Sequence, residues 1–303
     1  MPATVLLGAF AVACVPAAQL LASAQWPRRC PVAAIVLWQA LGLGWGLAAV
    51  GALAGFGEQR AERLVLSTGP IGPLSVPTAL RFASLMAGIA MLALLIWILA
   101  AAVAAVLRAR HRQRTLLGLL AHDDPKVPGA LVVDHPAAAA YCVPGLRSAI
   151  VISAGALDLL DQDELAAVLA HERAHLRARH DLVLLPFTAL LRAFRWSATA
   201  RVANAEVALL VEMLADDRAR RRGPARELAT ALLRVGASGG GHAPAGALAA
   251  TGPASSGGDG ELAARVTRLL RPPPGLPVPA IVGIGLLAAL LVLAPATALL
   301  LPL

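Results

Sequence analysis

Apolar positions in this 303-residue chain gather into long unbroken runs toward its two ends, and the ionisable positions gather between them. Four runs, at about 4–25, 32–57, 82–107 and 279–303, reach the roughly 20 residues that cross a hydrocarbon core of about 30 Å as helix. The central stretch has a different rhythm. Short apolar runs at 130–133, 139–143 and 149–153, bounded by Pro, Gly and Asp, predict strands of a small sheet or hairpin. From Asp161 the period lengthens: Leu165, Val168, Leu169 and Leu176 recur at helical spacing, and Asp161 with Glu164 three positions on predicts a reciprocal cap at the helix start. A second helical stretch covers about 205–222. Between these two lies a ten-residue apolar run at 182–191, broken by Pro186 and too short to span; it reads either as a core segment or as a hairpin dipping into the headgroup region.

Residues 236–260 are Gly, Ala, Ser and Pro with hardly a charge, which predicts a flexible loop, and 261–271 resume as a short amphipathic helix stopped by the prolines at 272–274. The expected architecture is a mainly α membrane protein: three transmembrane helices in 1–107, an α+β domain inserted at 108–278, and a fourth transmembrane helix in 279–303.

Composition reinforces that division. With 58% hydrophobic and 15% charged residues, the chain is too apolar for an ordinary soluble domain. Ala22, Ser23 and Ala24 have the look of a signal cleavage site, but no basic residue precedes the first run and the run exceeds the usual length of a signal core, so it reads as a retained helix. Cys14, Cys30 and Cys142 form no paired spacing and read as small apolar residues.

Of the 26 Lys and Arg, five precede residue 108 and the other 21 fall between Arg108 and Arg271. Such a block belongs in the cytoplasm. Arg108, Arg110, Arg112 and Arg114 directly follow the third run, and Arg28 with Arg29 mark the first loop as cytoplasmic too, so both termini are expected outside. Arg60, Arg63 and Arg81, accompanied only by Glu58 and Glu62, run against this orientation. The excess of basic over acidic residues in the central stretch comes without interleaved aromatics or a DNA-reading motif; anionic lipid headgroups account for it better than nucleic acid, and no direct nucleic-acid binding is expected.

The central helix carries the chemistry. His171-Glu172-Arg173-Ala174-His175 is an H-E-x-x-H sequence, and residues four apart on a helix share a face, so two imidazoles converge on one metal ion. Glu172 is then placed to reach an attacking water rather than the metal, and to carry its proton to the leaving amine. Buried next to an apolar stripe, two unpartnered histidines would be costly. A third protein ligand is required. Asp181, six residues after His175, suits a turn that needs Gly at position 178, but that residue is Ala, so the helix is expected to continue and carry Asp181 away. His180 reads as a helix-end cation. Glu212 is the stronger candidate: it lies on the second predicted helix among Leu209, Leu210, Met213 and Leu214, with Asp216 on the same face to accept the free N–H of a ligand histidine. Glu206 is a fallback.

His171 to His175, followed by Glu212-Met213-Leu214-Ala215-Asp216-Asp217, resembles the membrane gluzincins. Among them the chain is most similar to the BlaR/MecR-type antirepressor metallopeptidases, with HtpX-type proteases and CAAX prenyl proteases as relatives. The similarity includes Tyr141-Cys142-Val143-Pro144-Gly145 and Ala149–Ser153. It implies a zincin-like domain binding one Zn2+ per chain through His171, His175 and Glu212, with Glu172 as general base and Asp216 supporting a ligand, and with the active site facing the cytoplasm. The penicillin-binding sensor domain of that family is expected to be missing, since the sequence ends at Leu303. Three functions are compatible with these residues: an endopeptidase cutting a cytoplasmic or membrane-proximal protein such as a transcriptional repressor, a quality-control protease, or a non-enzymatic zinc-binding signalling protein.

Overall fold

A computed structural model describes residues 3–58, 76–125, 127–144, 148–238 and 259–300. Internal contacts divide the chain into two units, 1–99 with 276–303, and 100–275.

The first unit is built from helices α1 (Ala3–Ser23), α2 (Pro31–Glu58), the start of α3 (Val76–Leu120) and α10 (Val278–Leu300), with a short 3-10 turn at Trp26–Arg28. Among the described residues, four helices are long and apolar enough to cross a membrane: Ala3–Ser23, Pro31–Gly55, Phe82–Leu120 and Val278–Leu299. Leu7, Ala11 and Ala48 form a buried seam between α1 and α2, with Phe10, Trp45 and Ala298 packed against it. Small residues let the backbones close. A Cβ on Gly44 would lie 2.3 Å from the carbonyl oxygen of Leu291, an approach of the kind that holds apolar helices together where no water drives them.

The helix that carries the third apolar run extends beyond residue 107. α3 continues through Arg108, Arg110, Arg112 and Arg114 to Leu120, because residues 108–117 hold no Gly or Pro and are rich in helix-favouring Arg, Leu and Gln. The outer-loop residues Arg60 and Arg63 lie outside the described residues.

The second unit places a four-stranded sheet beside a helical layer. Strands β1 (Ala121–Asp123), β2 (Leu131–Val133), β3 (Ala140–Val143) and β4 (Ala149–Ser153) lie in the order β1-β2-β4-β3. β2 and β4 are parallel, and the other pairs antiparallel. Three strands fall where the sequence placed them, whereas β1 is short and largely exposed and carried no apolar signal. β3 is an edge strand.

After β4, Ser153 caps the short α4 (Ala154–Leu159) by accepting from the Ala156 N–H. Helix α5 (Gln162–Ala178), which carries His171 and His175, starts at Asp161, which accepts from the N–H groups of Asp163 and Glu164 while Glu164 reaches back to the Asp161 N–H. Arg234 then anchors the Glu164 carboxylate at 2.8 Å.

One face of α5 packs on the sheet through Leu165, Val168 and Leu169 against Val132, Ile150 and Ile152. Ala167 on another face meets Leu228, Ala229 and Leu269 of α8 (Ala225–Ala237) and α9 (Asp259–Leu270). α6 (His180–Ala193) and α7 (Ala198–Arg220) complete the layer. The expected loop is shorter than 236–260 at both ends, because α8 runs to Ala237 and α9 begins at Asp259; residues 239–258 lie outside the described residues.

Gly155 marks the tightest backbone approach in this unit. Its N–H donates to the His135 carbonyl at 3.0 Å, and a Cβ there would lie 2.0 Å from the Pro136 carbonyl oxygen. Gly155→Ala must therefore push the loop before β3 away from α4, at a cost of about 1–3 kcal/mol. Thermal unfolding of the purified variant should show a lowered midpoint relative to the wild type.

Candidate metal centre

α5 stops at Ala178 rather than continuing. Arg179 adopts a left-handed conformation with φ 51°, closes the helix with its N–H on His175 and Leu176 carbonyls, and lets α6 begin at His180 in a new direction. A non-glycine residue reaches this conformation only with strain, so the break has no glycine to announce it in the sequence.

Asp181 is turned to Arg110 on α3, and the group whose donor atoms converge does not include it. His180 corrects the sequence reading more directly. It is no exposed helix-end cation: it is buried at the first residue of α6, with its Nδ1 3.0 Å from Nδ1 of His175 and its Nε2 3.0 Å from Arg218. Burial, followed by the nearby His175 and Arg218 cations, depresses its pKa to about 3.

His171 and His175 project from one face of α5, with their Nε2 atoms 3.0 Å apart. α7 crosses that face, its N-terminus capped by Ser197. It brings Glu212 to 3.4 Å from His171 Nε2 through Oε2, and to 3.5 Å from His175 Nε2 through Oε1. One turn on, the buried Asp216 approaches His171 Nδ1 at 3.0 Å; this contact is bent away from the N–H axis, so that N–H has no straight acceptor. Glu206 does not join the group able to hold a metal ion, which consists of His171, His175 and Glu212.

The three side chains suit a zinc site. Ligands about 2.0–2.2 Å from a shared centre stand roughly 3.3–3.6 Å from one another; the two imidazole Nε2 atoms are 3.0 Å apart, and Glu212 offers one oxygen to each ring, Oε2 at 3.4 Å and Oε1 at 3.5 Å. Glu212 remains 35% exposed, so the group opens to solvent on that side, as a catalytic site with a free coordination position requires. The outer nitrogens of both imidazoles face fixed partners, Asp216 for His171 and His180 for His175, which orients the rings.

Arg265 of α9 ties the carboxylates together. Its fork meets both oxygens of Asp216 at 2.9 and 2.8 Å and Glu212 Oε2 at 3.1 Å. Burial opposes charge on both acids, but Arg265 outweighs it: Glu212 is held well below the usual carboxylate range and Asp216 at about 2. Burial likewise opposes charge on His171, yet its contacts with Asp216 and Glu212 prevail and raise it to about 10, while burial lowers the adjacent His175 to about 4. The metal-free pair thus carries a single positive charge in the neutral range. Arg268 repeats the pattern one turn on by clamping Asp217. Nothing in the sequence distinguished Arg265 from twenty other basic residues of the central stretch.

Glu172 sits beside the pair, facing β3. Burial raises its carboxyl to about 7, and the Cys142 thiol hydrogen-bonds to it and is itself pushed far above its ordinary pKa, mainly by burial. Cys142 is therefore a hydrogen-bonding neighbour of Glu172 and not merely a small apolar residue.

Two consequences can be measured without turnover. Arg265→Met leaves two carboxylates close together with only the His171 cation to balance them. Removal of one partner from a buried ionic cluster costs about 3–5 kcal/mol, so chemical denaturation should show a large drop in stability, with Arg265→Lys restoring part of it. In the chelator-treated protein, the raised pKa of Glu172 makes its ionisation a cost to folding that is absent below the ordinary carboxyl pKa of about 4.3, grows as pH rises, and is fully expressed above about 7. Glu172→Gln should thus raise the melting midpoint at pH 8 and leave it nearly unchanged at pH 4.

Residues 106–215 match the family model described as Peptidase family M48. No curated protein and no solved structure matches the chain. The matched stretch takes in β1 to β4, the His171–His175 helix and Glu212, and stops short of Asp216 and Arg265. Together with helices apolar enough to cross a membrane, it supports a membrane-associated metallopeptidase of the zincin type, related to family M48.

Proposed function

We propose that this chain is a membrane-embedded, zinc-dependent metalloendopeptidase that hydrolyses peptide bonds of a cytoplasmic or membrane-proximal protein. The observation that carries the reading is the convergence of His171, His175 and Glu212 to within 3.5 Å of one another, with Glu172 alongside. In this reading 108–278 is the peptidase domain between the third and fourth spans, and the block of arginines after the third span keeps it in the cytoplasm with both termini outside.

His171, His175 and Glu212 would hold one zinc ion, with Asp216 and His180 fixing the two rings. Zinc bound there supplies a Lewis acid that polarises the scissile carbonyl and acidifies the attacking water. The residues do the rest. Glu172, whose carboxyl sits near neutrality, takes the proton of that water and delivers it to the departing amine nitrogen. Cys142 lies on edge strand β3, whose outer side is open to add an extended peptide by main-chain hydrogen bonds, so a substrate strand would run past the acid–base group. Arg265 holds Glu212 charged and in place.

Purified protein should contain about one zinc per chain. Glu212→Ala should lose it, whereas Asp181→Ala should keep it; the opposite result would exchange the third ligand. Glu172→Ala should retain zinc and lose turnover by about 10²–10⁴-fold. Comparing the proteomes of cells that carry wild-type or Glu172→Ala protein gives the substrate: one repressor-like fragment that requires Glu172 supports a regulatory protease, and many fragments of damaged membrane proteins support quality control. A cellular phenotype that survives Glu172→Ala with zinc still bound would make the chain a signalling scaffold and overturn the enzymatic reading.

A further inference from the structure

The turn joining α6 to α7 combines two features that neither the fold nor the metal centre uses. α6 buries Leu184, Phe187, Thr188 and Ala189, which makes part of the 182–191 run a core segment. The same helix leaves a second stripe at i, i+4 spacing open: Leu182 is 48% exposed, Pro186 and Leu190 are half-buried, and Ala193 is exposed. The stripe ends in a corner where Trp196 is 80% exposed, with only an edge contact to Phe194, ring centroids 6.0 Å apart.

The corner is also one-signed. Arg192, Arg195 and Arg201 surround it, and no Asp or Glu occurs in the sequence between Asp181 and Glu206. Among the described residues neither Arg195 nor Arg201 meets a carboxylate, and Arg201 instead donates to the Arg195 carbonyl at 3.0 Å.

We propose that this corner is a docking surface for an anionic lipid bilayer: Trp196 and the outer stripe of α6 enter the headgroup–acyl boundary while Arg192, Arg195 and Arg201 engage phosphate. An indole with an apolar body and one N–H donor suits that boundary, and arginine stems reach along it with their heads in the phosphate layer. The chain itself names the occupant. α3 runs unbroken from an apolar segment into this unit, and only residues 271–277 separate α9 from the last apolar helix, so a bilayer is always within reach. Docking there stands independently of the metal and of peptide hydrolysis.

The test uses the full chain in nanodiscs of phosphatidylcholine, with or without phosphatidylglycerol, brominated near the glycerol end of the acyl chains. Subtracting Trp196→Phe isolates this indole from Trp26, Trp38, Trp45 and Trp97, and its exposure makes the substitution harmless to folding. The Trp196 signal should be quenched in anionic discs and released at 1 M salt. It should also be released by Arg192→Gln, Arg195→Gln and Arg201→Gln combined, since each arginine near an anionic surface is worth about fivefold in the docking equilibrium. A chain retaining only Trp196 reads the same signal directly. Water-like, unquenched Trp196 emission in anionic discs overturns the proposal. So does quenching that is equal in neutral discs and indifferent to the arginines, or shielding that appears in detergent without lipid and marks a protein contact.

Discussion

Two imidazole nitrogens 3.0 Å apart on a buried helix face set the constraint that the second unit must satisfy. Left alone, such a pair is expensive: its polar atoms are removed from water, and the two rings cannot both be charged. The surrounding architecture resolves this by bringing carboxylates from a different helix. Glu212 faces both Nε2 atoms, Asp216 faces the outer nitrogen of His171, and Arg265 balances the two acids from a third helix. α5, α7 and α9 are therefore bound to one another by charge at the centre and by apolar contact at the flank, where Ala167, Ala219, Leu228 and Leu269 pack together. The polar cluster and the core cannot be repacked separately, so the spacing of the two imidazoles is inherited from the fold.

Some of this was readable in the sequence because it is local. The His171 to His175 spacing, the Asp161–Glu164 cap and the Glu212–Asp216 pair each depend on residues within one or two turns, where helical geometry fixes who shares a face. The strands at 130–133, 139–143 and 149–153 were bounded by turn residues and came out within a residue or so. What escaped was either unmarked or distant. Arg179 takes a left-handed turn without the glycine that usually announces one, and that turn hides His180 inside the structure. Arg265 is 49 residues from Asp216, across a Gly- and Ser-rich stretch, and resembles every other arginine around it. β1 has one half-buried position in three and so no alternation to detect. The helix of the third span runs on past the first arginine to Leu120, because charge ends a membrane crossing without ending a helix.

The region matched to family M48 closes at residue 215, and the cluster does not. Asp216 lies one residue beyond it, and Arg265 comes from α9, after the low-complexity stretch. A mutation or truncation that spares 106–215 but displaces α9 would leave both histidines and Glu212 in the chain while stripping the carboxylates of their counter-ion. The main influence that keeps Glu212 and Asp216 charged against burial would then be gone, which shifts both toward their protonated forms, and a protonated carboxyl is a poor metal ligand. The candidate metal centre is thus assembled from both sides of the segment 239–258, with Glu212 and Asp216 before it and Arg265 after it.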